Sequence, residues 1–121
     1  TFEEGLATQG YKRLNGTEIQ STFTGNTLIG RFVGSEYAII VFFAADGTLR
    51  GMAEAPSGRS EKDKGHWKVS EDDMFCDQWE NWQPGSDCDR IYLRGKEIVI
   101  VNTDGTKSSS GSVELGNSKG L

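Results

Sequence analysis

Tyr37-Ala-Ile-Ile-Val-Phe-Phe-Ala-Ala-Asp46-Gly47-Thr-Leu-Arg-Gly-Met-Ala-Glu54 reads as two β-strands joined by a tight turn. Its first half is β-branched and aromatic, the residue types that suit a pleated, packed surface. Asp46-Gly47 is the strongest short hairpin signal in the chain, because a two-residue hairpin turn needs residues that tolerate positive φ. Tyr37–Ala44 and Thr48–Glu54 are therefore expected to pair as antiparallel strands.

The same alternation of strand and turn continues on both sides. Thr27–Val33 precedes a Gly34-Ser-Glu turn. Downstream come a polar loop from Ala55 to Lys64, a strand Gly65–Ser70, and an Glu71-Asp-Asp turn. Met74–Trp82 and Cys88–Leu93 flank a Gln83-Pro-Gly-Ser turn. Glu97–Asn102 follows Arg94-Gly95-Lys96, and a second Asp-Gly at 104–105 leads to a last strand near Gly111–Leu115. That makes about eight strands with short sequential connections, which imply an antiparallel meander. Eight such strands close naturally into an up-and-down barrel, which also removes exposed edges; a two-sheet sandwich is the alternative. One short helix is expected near the N-terminus, at 16–23, since Leu14, Ile19 and Phe23 fall close to one helical face. Asn15 or Thr17 can cap it, Glu18 suits the dipole of its first turn, and Gly25 ends it. Thr1–Gly10 shows no period and reads as a flexible arm.

The chain is one domain of 121 residues, with 16 Gly against 2 Pro, as a turn-rich all-β protein requires. Its net charge of −5 argues against nucleic-acid binding, which needs a basic face. The longest apolar run, Ala38–Ala45, falls far short of the roughly 18 residues of a membrane-spanning helix, so no membrane insertion is expected. The chain opens at Thr1 with no signal peptide, as a processed mature form or a trimmed chain does.

Cys76 and Cys88 occupy matched positions of the Met74–Leu93 hairpin, so a disulfide is expected between them. Closing so short a loop is worth about 2–3 kcal/mol in the chain-entropy model. A periplasmic or secreted location follows from that bridge.

Strand alternation sorts the side chains. Phe75 and Trp79 share a face with Ile91 and Leu93, and Trp67 points inward with Val69. Cys76 and Trp82 share the opposite face with Cys88, Arg90 and Tyr92, which places the disulfide on the outer wall. Trp67, Trp79, Phe75, Phe32 and Phe42 (or its neighbour Phe43) are the candidate ligand-binding residues of an aromatic interior. Trp82, Arg90 and Tyr92 are the candidate partner-binding set, being residue types that anchor interfaces. Tyr37–Phe43 and Ile98–Val101 are apolar on both faces, so the 16–23 helix or a second copy of the chain, as a homodimer, is expected to cover them.

Catalytic machinery is sparse. The single histidine, His66, lies on the polar face of a strand, and no nucleophile elbow, phosphate loop or dinucleotide fingerprint occurs. No enzyme activity and no cofactor are expected. Glu71, Asp72, Asp73, Asp77, Glu80, Asp87 and Asp89 crowd one stretch but lack the spacing of a calcium loop, and they read as a solvated acidic rim without metal. Asp77 and Asp89 fall on the inner face, which suits charged groups only where the strand ends open to solvent. Asn15-Gly16-Thr17 matches a glycosylation acceptor.

Several landmarks occur in a distinctive order: Leu14-Asn-Gly-Thr-Glu-Ile19, Phe23-Thr-Gly-Asn-Thr27, Asp46-Gly-Thr-Leu-Arg-Gly51, Gly65-His-Trp-Lys-Val69, Phe75-Cys-x-x-Trp79 with Cys88, and Gly116-Asn117. In this order the chain resembles a group of small exported bacterial proteins of uncharacterised function. Gly34-Ser-Glu-Tyr37 is also similar to part of the motif of periplasmic lysozyme inhibitors of the same general shape. The resemblance implies a periplasmic, lipocalin-like (calycin-like) barrel and carries over no catalytic residue. The functional expectation is a small exported protein that binds a small apolar ligand in the barrel. The alternative is a protein-interaction or inhibitor domain acting on a periplasmic protein through Trp82, Arg90, Tyr92 and the loops.

Overall fold

A computed structural model describes residues 1–121. Strands β2 (Thr27–Phe32), β3 (Ala38–Phe43), β4 (Thr48–Glu54), β5 (Ser60–Val69), β6 (Phe75–Trp79), β7 (Ser86–Arg94), β8 (Glu97–Val101) and β9 (Lys107–Glu114) pair antiparallel in sequence order. Pairing of β9 with β2 closes them into an eight-stranded barrel. The extra two-residue strand β1 (Lys12–Arg13) pairs with the end of β7 at Tyr92 and Leu93. Helices α1 (Phe2–Thr8) and α2 (Gly16–Phe23) complete the chain.

The turns form as their residues dictate. Asp46 Oδ1 accepts from the Thr48 N–H at 3.0 Å and the Thr48 hydroxyl at 2.7 Å. Asp104 repeats this with Thr106, at 2.9 and 2.6 Å. An aspartate one residue before glycine thus fixes the turn from the side while glycine supplies the positive φ. At the seam between β2 and β9, Gly30 faces Gly111, and a Cβ on either would strike the other strand's backbone.

Helix α2 matches its expected bounds. Asn15 is the cap: its Oδ1 accepts from the Glu18 N–H at 2.9 Å, and Glu18 Oε1 accepts from the Asn15 N–H at 3.0 Å. Its position corrects the sequence expectation. Ile19 and Phe23 are not laid over an outer face but plug one end of the barrel, with Leu14, Val41, Phe43, Leu49, Trp67, Phe75, Ile91 and Ile98 as the core beside them. Phe23 packs on Phe43 with ring centroids 4.7 Å apart, and Phe43 meets Trp67 edge-on at 5.6 Å.

The first ten residues are a second correction. They form α1 rather than a loose arm. Thr1 caps α1 by accepting from the Glu4 N–H. Leu6 then packs with Tyr92, Val99 and Val101 on the outside of β7 and β8. This covers the outward apolar face of Ile98–Val101 with the chain's own helix. On the outside of β3, Ile40 is buried in a cross-strand row with Ile29 and Met52, and the Arg50 guanidinium sits 5.6 Å over the Phe42 ring.

Strand bounds differ mainly in β5 and β9. The charged stretch 60–64 is strand, not loop, because its charges alternate: Lys62 and Lys64 point out while Asp63 points in opposite Gly51. β9 is longer than expected because its small polar residues still pair along their whole length with β2 and β8.

Candidate functional site

The end opposite α2 carries the 33–37, 55–59, 80–85 and 102–106 connections, and it is open. From it a cavity of about 630 Å³ runs into the barrel. Its apolar wall comes from Leu28 on β2, Ile39, Val41 and Phe43 on β3, Ala53 on β4 and Ile100 on β8, and Phe23 and Phe75 form its bottom. Phe32 and Tyr37 stand at the mouth, half in water.

Of the expected ligand-binding residues, Phe75, Trp79 and Phe32 line this cavity. Trp67 does not. It is 6 % exposed in the floor below, with its indole Nε1 donating to the Ala44 carbonyl at 3.1 Å. Phe42 does not either, since strand alternation turns it outward under Arg50 and gives the inward place to Phe43.

The expected partner-binding set separates in the same way. Trp82 lies at the cavity beside Trp79, ring centroids 4.8 Å apart, not on the outer wall. β6 ends at Trp79, so alternation no longer governs Trp82. Its position is set by Asp63, whose Oδ2 accepts from the Asn81 and Trp82 N–H groups at 3.0 and 2.9 Å. Burial works to raise the Asp63 pKa, but the Asn81 and Trp82 N–H groups outweigh it and hold the carboxylate below its usual range. Gly51 gives the two indoles room: a Cβ there would lie 2.6 Å from Trp82 Cζ3 and 2.8 Å from Trp79 Cη2.

Arg90 and Tyr92 do face outward, but α1 occupies them. Glu3 receives Arg90 Nη2 at 2.7 Å, Arg90 Nε at 3.0 Å and the Tyr92 hydroxyl at 2.6 Å. Tyr92 is only 8 % exposed. The disulfide joins Cys76 and Cys88, directly opposed on β6 and β7, on the outer wall as expected.

Part of the expected acidic rim forms one side of the cavity instead. Asp77, Asp87 and Asp89 all line it, Asp77 opposite Asp87 in register. Asp77 receives the Trp79 indole N–H at 3.2 Å, and Asp87 receives Gln83 Nε2 at 3.1 Å. Burial pushes Asp77 up to about 6 and Asp89 up to about 7, and Asp87 between them adds repulsion to both. The signal for this wall was present in the inward register of Asp77 and Asp89.

No group of three acidic, histidine or cysteine side chains is arranged to hold a metal ion. No helix is long and apolar enough to cross a membrane. No protein-family model, curated protein or solved structure matches the chain.

Proposed function

We propose that this protein is an exported binding protein that holds a small, mostly apolar ligand in its barrel, and that it is not an enzyme. The observation that carries the reading is the open cavity of about 630 Å³ above a packed aromatic floor. That volume lies within the range of small-molecule sites, and a concave, mostly apolar wall with a few polar groups is their usual form. In small barrels the interior is either filled by side chains or holds one small ligand, and here only one end is filled. Export to the periplasm or outside the cell is supported by the Cys76–Cys88 bridge, which persists in oxidising compartments. The sequence resemblance to exported, lipocalin-like barrels points the same way.

Titration with the neutral fluorophore N-phenyl-1-naphthylamine tests the reading. Saturable binding is expected, and Ala53→Trp, which fills the cavity from β4, weakens it by about ten-fold or more. Binding that is absent, or indifferent to Ala53→Trp, contradicts it.

A second reading, a protein-interaction or inhibitor domain, draws on the mouth, where Phe32, Val33 and Tyr37 are 50 %, 61 % and 43 % exposed. Absence of saturable fluorophore binding leaves that reading in its place.

A further inference from the structure

The carboxylates of the cavity wall are unusual in what they lack. Asp89 is 8 % exposed, lines the cavity and accepts no hydrogen bond from any protein group. Asp77 has one indole N–H, and Asp87 has Gln83 and the adjacent Cys88 N–H. None of the three takes part in an ion pair; Arg90, the cation nearest to Asp89 in sequence, is committed to Glu3 on the other face of β7. Burying a carboxylate without a partner is costly, and this wall holds three carboxylates together. Beside them stand Trp79 and Trp82, whose ring faces attract cations. An anionic ligand would be repelled here, and a wholly neutral one, even if it donated a hydrogen bond to Asp89, would leave the negative charge of the wall uncompensated. The carboxylates are not arranged as a metal-ligand set, so the cation that fits is an organic one.

Resting on the binding reading above, we propose that the ligand is an amphiphilic organic cation. Its protonated or quaternary amine sits among Asp77, Asp87 and Asp89 beside Trp79 and Trp82. Its apolar part lies against Leu28, Ile39, Val41 and Ile100. The other charged or titratable groups facing the cavity are Glu61 from β5, Arg31 from β2 and Tyr37 at the mouth; α2, β3, β4, β8 and β9 present none. Arg31 is tied to the Glu36 carbonyl at 2.7 Å. Asp77 and Asp89 carry protons in mildly acidic solution, so the preference for a cation falls as the pH is lowered.

The test compares decyltrimethylammonium, 1-decanol and decanoate as displacers of N-phenyl-1-naphthylamine, below their micelle concentrations. At about pH 8 the cation is expected to bind on the order of ten-fold more tightly than the alcohol, and decanoate most weakly. The ratio of cation to alcohol affinity shrinks towards one at about pH 5 and in Asp89→Asn, while the outer-wall variant Lys64→Ala keeps it. Asp77→Asn serves the same purpose should Asp89→Asn not fold. Equal affinity for cation and alcohol in the wild-type protein overturns the inference and leaves the binding reading standing. So does a preference that survives both asparagine variants. Displacement by none of the three likewise overturns the inference, whereas the binding reading falls only if the fluorophore itself does not bind saturably.

Discussion

Asp89 concentrates the energetic tension of the molecule. Its folded pKa is raised to about 7 from 3.8. A raised carboxylate binds its proton more tightly folded than unfolded, so its contribution to stability falls as the pH climbs from about 4 to about 7. Asp77, raised to about 6, acts in the same direction. Asp89→Asn keeps the shape and removes the charge. It is expected to stabilise the unliganded protein by on the order of 1–3 kcal/mol at about pH 8 and to change little at about pH 4. Urea unfolding of the two proteins at both pH values checks this; a destabilised variant at the higher pH contradicts it. The inward face of Asp89 was legible from strand alternation. That it borders a cavity was not, because alternation gives a side and not a depth. Trp82 was less legible still: it lies just past the end of β6, and Asp63, on a different strand, fixes its backbone.

At the scale of elements, α1 is held by one residue more than by its length. A helix of 7 residues has little stability of its own. Glu3 ties it to Arg90 and Tyr92 in a largely covered site, and Arg90 holds the Glu3 carboxyl below its usual range. A lowered carboxylate contributes stability above its unfolded pKa and loses it as pH falls, the opposite sign to Asp89. Glu3→Ala leaves the Arg90 guanidinium with no carboxylate partner, and a loss of about 1.5–3 kcal/mol is expected. Hydrogen exchange should then quicken in residues 2–8 and leave α2 unchanged; equal protection of α1 in both proteins refutes its anchoring by Glu3.

The element scale also separates what sequence reveals from what it hides. Thr48–Glu54 and α2 match their expected bounds, because an Asp-Gly turn and helix-capping side chains are local signals. α1 was hidden because its apolar side rests on only Leu6, too little for a period, and its anchor lies far along the chain. The first residues of β5 were hidden because Glu61, Lys62, Asp63 and Lys64 look like solvent-loving loop. In the fold, two of these four carry the wall inward, Glu61 at the cavity and Asp63 beneath the 80–85 loop.

The whole molecule is a cup with two unlike ends. α2 and the aromatic cluster fill one, and the other is bounded by apolar β3, acidic β6–β7 and two indoles in tilted contact. The three tryptophans divide between them, and this makes the central claim directly measurable. Trp79 and Trp82 line the cavity, while the Trp67 indole N–H is bonded to Ala44 in the floor. In nitrogen-labelled protein, the indole N–H resonances are followed as 1-decanol is added. The account predicts that Trp79 and Trp82 shift together and saturably while Trp67 stays in place. A titration in which Trp79 and Trp82 do not move, or in which Trp67 moves as far as they do, contradicts an open binding cup above a closed floor.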